Sequence, residues 1–274
     1  MTSTFAAHLP MKTAGAEADP MRRPSSLASS LALLMAVAAM GGATGCAGAP
    51  PAARPGPAHP AAIASTAVSG QKDQAHAGAL SPADATAEVA YYRERSVALA
   101  TGASTEIART DFVRLRRGRL YLTGGLPDGE ILELQRRLGA AFREENGAAI
   151  LEVTAQLIAR NEADIRAHML RAIALRQAGN ESEARAHHDL AMALIESIIS
   201  SGDGLGFASS WTVFDVSEEY EVLKVKGCVP GSQALASHEE RQFDVLHARN
   251  ASNGSPCEAT FDITELMAVT ARHF

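Results

Sequence analysis

The sequence predicts an α+β protein in which N-terminal helices pack on a small C-terminal domain with an antiparallel sheet. Apolar residues recur at helical spacing as far as Ser200, whereas beyond Tyr220 they alternate along short runs. Between the two parts lies Ser201-Gly202-Asp203-Gly204. A helix would not continue through this run, because each glycine in a helix interior costs about 1 kcal/mol. We therefore expect a helical segment over 81–200 and a small α+β module over 201–274.

The composition bounds the classes of partner. The 274 residues are 46% hydrophobic and 20% charged, with a net charge of −6, which is ordinary for a globular chain with one or two cores. Nucleic-acid binding depends on Lys and Arg side chains that neutralise phosphates. A chain with an acidic surplus lacks such a surface, so we expect no nucleic acid partner.

The N-terminus has the three regions of an export signal. Met21-Arg22-Arg23 is followed by an apolar run over 27–40, by small residues and by Cys46. The run is too short and too rich in alanine for a membrane span. This arrangement resembles a bacterial lipoprotein signal over 1–46, in which Cys46 is acylated and becomes the first mature residue. A signal peptide without a lipid is the alternative. Either form predicts export, and the first predicts a membrane anchor facing the periplasm.

Residues 47–80 are expected to form a disordered Ala/Pro tether. Five prolines interleaved with alanine and glycine cannot bury enough surface to offset the entropy of ordering. A flexible chain of this length holds the folded part on the order of 30 Å from the lipid.

The first two helices have clear starts. Ser81 and Pro82 suit a helix cap and a first helical position, and this helix should reach Leu99. A second helix is expected from Asp111 to Tyr121. Its arginines are predicted to form a solvated face, with an acidic-ligand patch as the alternative; they are Arg114, Arg116, Arg117 and Arg119.

The segment after Asp128 has a degenerate tetratricopeptide-like pattern. Asn146 and Asn180 each mark a turn, and their separation of 34 residues is the period of that repeat. His188 replaces a large apolar residue of the repeat, and no proline closes the unit near Glu196. One and a half repeats cannot bury their own core, since about three are normally needed. We therefore expect the preceding helices and the C-terminal module to cover the exposed face.

The last helix of the segment, Glu181 to Ser200, places His188 inside its apolar stripe. We expect His188 to be packed, with one ring nitrogen hydrogen-bonded. His187 points about 100° away, so the two rings cannot easily share a metal ion. No metal or other cofactor is expected.

The C-terminal module should begin with a strand from Trp211 to Val216. Ser217 is expected to cap a short helix, and Glu218 and Glu219 suit its positive N-terminal end. Three further runs predict a meander of strands, before a final helix from Thr264; they are Gln233–Ser237, Gln242–Arg249 and Cys257–Ile263.

Cys228 and Cys257 are predicted to form a disulfide. Both fall at the same end of the predicted meander, and the expected export places them in an oxidising compartment. Closing about 29 residues would stabilise the fold by roughly 3–4 kcal/mol. Two buried free thiols are the alternative.

A set of short motifs resembles a known family. The residues that carry it are Ser201-Gly202-Asp203-Gly204, Glu218-Glu219-Tyr220, Leu223, Gln233, Leu235, Asp244-Val245 and Phe261-Asp262-Ile263, with Asp111-Phe112 and Leu115-Arg116 upstream. Their order over roughly residues 111–263 resembles an uncharacterised bacterial family, domain-of-unknown-function family 4919. The resemblance implies a helical segment followed by a small mixed domain, often in exported proteins. It carries over no activity and no catalytic residue.

The search for chemistry finds no GxSxG, HExxH, CxxC, Walker or GxGxxG motif. A possible ligand site is Gly202-Asp203-Gly204 beside Glu218, Glu219 and Tyr220, although the glycines more often simply end a helix.

The leading hypothesis for function is a non-catalytic envelope lipoprotein that binds or scaffolds a protein partner. One alternative is a hydrolase or metal-dependent enzyme with a site near Asp203 and Glu219 that uses a histidine such as His187. The second alternative is a structural spacer in the periplasm, which would lack a groove for a partner.

Overall fold

The computed structural model describes residues 78–99, 104–126 and 128–273. The expected export signal with Cys46, and residues 47–77 of the expected tether, lie outside this part of the chain. The helices are α1 (Pro82–Leu99), α2 (Ser104–Arg109), α3 (Phe112–Thr123), α4 (Gly129–Arg143), α5 (Gly147–Arg160), α6 (Ile165–Gln177), α7 (Glu181–Ile199), α8 (Val216–Val225) and α9 (Thr264–Thr270). The strands are β1 (Trp211–Thr212), β2 (Cys228–His238), β3 (Arg241–Asn250) and β4 (Pro256–Asp262). The α+β class is confirmed.

Side-chain caps explain where most helices begin. An Asp or Asn before the helix accepts a hydrogen bond from an N–H of the first turn, which satisfies a backbone donor that would otherwise be unpaired. The capping residues are Asp111, Asp128, Asn146, Asp164, Asn180 and Asp215. Asn146 and Asn180, where the sequence predicts turns, each cap the helix that follows. The assignment to a tetratricopeptide-like repeat stays a prediction.

The sheet has the strand order β1-β4-β3-β2. Strands β2, β3 and β4 form the expected antiparallel meander. The first strand differs from the prediction, since β1 covers only Trp211–Thr212 and pairs in parallel with β4, so the sheet is mixed. The strand ends early because the backbone turns into α8, whose cap is Asp215 rather than Ser217.

The helices and the sheet share one apolar core. Buried side chains of α3 and α7 join those of β1, α8, β3 and β4 in a single cluster, which includes Leu115, Leu194, Ile198, Trp211, Leu223, Leu246 and Phe261. A second cluster lies among α4, α5 and α6. The expected cover of the helical stack by the C-terminal module is therefore confirmed. Ala79 also packs on the core, so the folded part begins slightly before residue 81.

Two side chains do not lie where the periodicity predicts. Arg116 is buried, with 2% of its surface exposed, because α3 is enclosed between α1 and the C-terminal module rather than facing solvent. The side chain of His188 is 44% exposed, whereas His187 points towards α6. Within the described residues, no helix is long and apolar enough to cross a membrane.

Candidate functional site

A buried ion pair joins the helices to the C-terminal module. The Arg116 guanidinium donates from Nε and Nη2 to the two carboxylate oxygens of Glu218, at 2.8 and 2.9 Å. It also donates to Ser197 Oγ at 3.1 Å and to the Thr212 carbonyl at 2.9 Å. Glu218 Oε2 accepts a further bond from the Phe214 N–H at 2.9 Å. These bonds leave neither charge unpaired, as a buried pair requires.

A cleft of about 240 Å³ opens beside this pair, where α3, α4, the 161–165 loop and the start of α8 meet. Leu126 and Val216 line it and remain 41% and 45% exposed. Arg119 also lines it, near enough for its charge to oppose the rise that burial causes in the pKa of Glu162. On the opposite wall, Asp164 caps α6 and accepts from the Ala167 N–H at 2.8 Å. Burial raises the pKa of Asp164 to about 6.

A second acidic site lies inside the module. Glu219 is fully buried and faces Asp244 on β3. Burial, and then the Asp244 charge, raise the pKa of Glu219 to about 9. Both Glu219 carboxyl oxygens are buried and make no direct hydrogen bond with another described residue, so ionisation would leave an unsolvated charge, and Glu219 keeps its proton at neutral pH. Gln233 Nε2 donates to Asp244 Oδ2 at 2.5 Å, and the Tyr220 hydroxyl donates to Gln233 Oε1 at 3.0 Å.

The glycine turn has a structural role. Asp203 Oδ1 accepts from the Leu205 N–H at 2.8 Å and from the Ser209 hydroxyl at 2.5 Å. The Gly202 carbonyl accepts from the Trp211 indole N–H at 3.1 Å. A Cβ on Gly204, which has a φ of +75°, would lie 2.5 Å from the Trp211 ring. The glycines therefore let this loop close over the indole.

A chain of histidines links α6 and α7. Arg171 Nε donates to His187 Nε2 at 2.9 Å, so His187 carries its proton on Nδ1. That proton is donated to His168 Nδ1 at 2.9 Å, and His168 Nε2 then donates to the Glu162 carbonyl at 3.1 Å. Burial lowers the pKa of His168 to about 3 and also lowers that of His187. Both rings are therefore neutral and structural, and a separate cleft of about 450 Å³ borders them.

The predicted site residues divide among separate places. Glu218 lines the cleft beside Arg116, Glu219 and Tyr220 belong to the Asp244 network, and the Asp203 carboxylate is bonded within its own loop. The hydrolase alternative requires these carboxylates to converge with His187, which lies instead at the other cleft. Among the described residues, no three His, Cys, Asp or Glu side chains are placed to hold a metal ion.

Sequence reasoning missed the roles of two residues. The run of arginines in α3 predicts a solvated face for Arg116, but the side chain is buried. Asp244 belongs to the motif set, and its spacing of two residues from Leu246 on β3 is the signal that both side chains lie on the same buried face. The predicted cysteine pair does come together. Cys228 and Cys257 lie at disulfide distance at the same end of the sheet, with their Cα atoms 6.3 Å apart.

Comparison with known proteins gives one match. A family model described as a domain of unknown function, DUF4919, matches residues 131–270, which is just over half of the chain. The match spans α4 to α9 and therefore contains Glu218, Glu219 and Asp244. No curated protein and no solved structure matches the chain significantly.

Proposed function

The chain belongs to the DUF4919 family, whose description assigns no activity, and from this premise we propose that it is a membrane-tethered envelope lipoprotein that acts as a non-catalytic binding module. The observation that carries the proposal is the cleft beside the Arg116–Glu218 pair. Four of the five charged groups in its walls are already used for structure: Arg116 and Glu218 hold one another, and Asp164 and Asp215 cap helices. Such groups can support a surface, but they are not free to move protons.

The size of the cleft favours a protein partner. Small-molecule sites usually measure about 300–1,000 Å³, whereas this cleft measures about 240 Å³. Anchoring side chains of a partner commonly fill pockets of this kind at the centre of an interface. The exposed apolar surface of Leu126 and Val216 suits an apolar anchor. Arg119 supplies a positive charge in the wall of the cleft, which suits a carboxylate beside that anchor.

Site-specific photo-crosslinking in intact cells tests this surface. A photoreactive side chain at Leu126 should give a protein adduct that the same side chain at Leu132 does not give. Leu132 is a matched control, because it is a 52% exposed leucine that does not line the cleft. Arg119→Glu should abolish the Leu126 adduct. Equal adducts at the two positions, or an adduct unaffected by Arg119→Glu, would contradict the proposed surface.

The anchor is tested separately. Cys46→Ala removes the only side chain that the proposed lipid could use. The variant should therefore leave the membrane fraction and lose label from a fatty-acid analogue. If the variant stays in the membrane fraction to the same extent as the unaltered chain, the lipid anchor is wrong, whatever the crosslinking shows.

A further inference from the structure

Within the part of the chain that the structure describes, one edge of the sheet is open. Strand β2 is the last in the order β1-β4-β3-β2, and among these residues only its β3 side is paired. From Ser232 to His238 its pairing with β3 is continuous, after an irregularity next to Pro230. Every residue of this stretch except Ala236 is exposed. The outward N–H and C=O groups of such an edge can pair with a further strand.

The edge lacks the features that usually prevent such pairing. Proteins protect edge strands with charged side chains, proline, bulges or short length. Here Pro230 and the irregularity lie at the start of the strand, and residues 231–237 carry no charge. Leu235 lies at the centre of the open stretch and is 62% exposed. It offers an apolar contact in the middle of an otherwise polar or small-residue edge.

The two ends of the edge carry opposite charge. Glu239 and Glu240 form the exposed turn that follows the strand. At the other end, the exposed Arg249 on β3 pairs with Val229 of β2. A second copy that runs antiparallel would place its acidic turn at the basic end of the first. A parallel copy would bring like charges together.

We propose that the β2 edge binds a second copy of this chain, in an antiparallel pairing with Leu235 on the two-fold axis. This interface goes beyond the proposed binding cleft and does not depend on it. In this register Leu235 lies opposite its own counterpart, and Ala234 lies opposite Ala236 of the other copy. A two-fold interface of this kind uses the same patch on both subunits.

Cysteine crosslinking of the full chain in its own membranes tests the register. Side chains directly opposite one another lie about 5 Å apart, close enough for a disulfide after small adjustment. Leu235→Cys should therefore form a covalent dimer of twice the chain mass on mild oxidation. Leu205→Cys is the control, since Leu205 is 72% exposed and lies outside the edge; it should stay monomeric.

Two further variants separate the antiparallel register from other pairings. Coexpressed Ala234→Cys and Ala236→Cys chains should crosslink to each other, whereas neither should crosslink to itself. A monomeric Leu235→Cys chain overturns the proposal. The proposal is also overturned if Ala234→Cys crosslinks to itself as much as it crosslinks to Ala236→Cys. That result would indicate a parallel pair or random collision. A Leu235→Cys adduct of any other mass also overturns it, by identifying a strand from a different protein.

Discussion

Arg116 makes the most consequential polar contact between the helices and the C-terminal module. Arg116→Met keeps much of the side-chain volume but leaves the Glu218 carboxylate buried without a cation. Breaking a buried pair in this way costs about 3–5 kcal/mol. We expect a loss of this size in the free energy of unfolding, measured by denaturant titration.

Arg137→Met is the matched control for that change. Arg137 also pairs with a carboxylate, Glu152 Oε1 at 2.9 Å, but the two side chains are 42% and 62% exposed. Exposed pairs contribute about 0–1 kcal/mol. Equal losses for the two methionine variants would show that the burial of Arg116 has no energetic consequence, and the role given to the Arg116–Glu218 pair would be wrong.

The buried acid Glu219 predicts a dependence of stability on pH. The pKa of Glu219 is about 9 in the folded chain against 4.5 for an exposed glutamate, so between these values the unfolded chain has lost a proton that the folded chain retains. Stability therefore falls as pH rises through this window. Glu219→Gln keeps the shape of the side chain but cannot ionise. The free energy of unfolding of this variant, minus that of the unaltered chain, should therefore increase steadily from about pH 5 to about pH 8.

Glu239→Gln is the control for the pH experiment, since the Glu239 side chain is 84% exposed. It should leave the slope of unfolding free energy against pH unchanged. If Glu219→Gln shows the same slope as the unaltered chain, Glu219 does not retain its proton when folded.

At the scale of the helices, the close crossing of α1 and α3 depends on Gly118. A Cβ at this position would lie 2.3 Å from the Glu88 carbonyl oxygen and 2.8 Å from Tyr92 Cβ. Because the nearest atom is backbone, the helices would have to separate. Gly118→Ala should therefore lower the melting temperature, even though alanine favours a helix more than glycine does.

At Gly139 in α4 we expect the opposite effect, because the helix has room for a Cβ there. A Cβ there would meet only Arg143 Nη1, at 3.6 Å. Gly139→Ala should raise the unfolding free energy by about 0.5–1 kcal/mol through helix propensity alone. A stabilising Gly118→Ala, measured in the same calorimetric series, would contradict the tight contact between α1 and α3.

Local signals in the sequence were sufficient for most elements. Caps such as Asp128 and Asn180 and the alternation along β3 depend only on neighbouring residues, so they predict the helix starts and the meander. The parallel pairing of β1 could not be predicted in this way, because it joins Trp211 to Phe261 across the whole module. Helical periodicity also could not reveal that Arg116 is buried, because it does not show whether one or both faces of α3 are covered.

Local sequence signals also could not predict how the residues of the candidate site are arranged. The motifs indicated that Glu218, Glu219 and Tyr220 matter, but adjacent residues on a helix point in different directions. Glu218 therefore faces Arg116, and Glu219 faces Asp244. The cleft is formed by α3, α4 and α8 together, so no single stretch of sequence contains its pattern.

In the whole molecule, the helical stack and the C-terminal module fold as one unit. They share one core, in which Leu194 and Ile198 of α7 pack in the same cluster as Leu223 of α8 and Phe261 of β4. The Arg116–Glu218 pair lies at the same junction. The proposed cleft exists only if these two parts stay together.

The most direct measurement is one denaturant titration followed with two probes. Trp211 is the only tryptophan of the chain and reports on the C-terminal module. Far-ultraviolet circular dichroism reports mainly on the helices over 82–199. We predict that the two transitions coincide in midpoint and slope, as a single cooperative unit requires. Loss of the Trp211 signal at a lower denaturant concentration than loss of the helical signal would contradict the account.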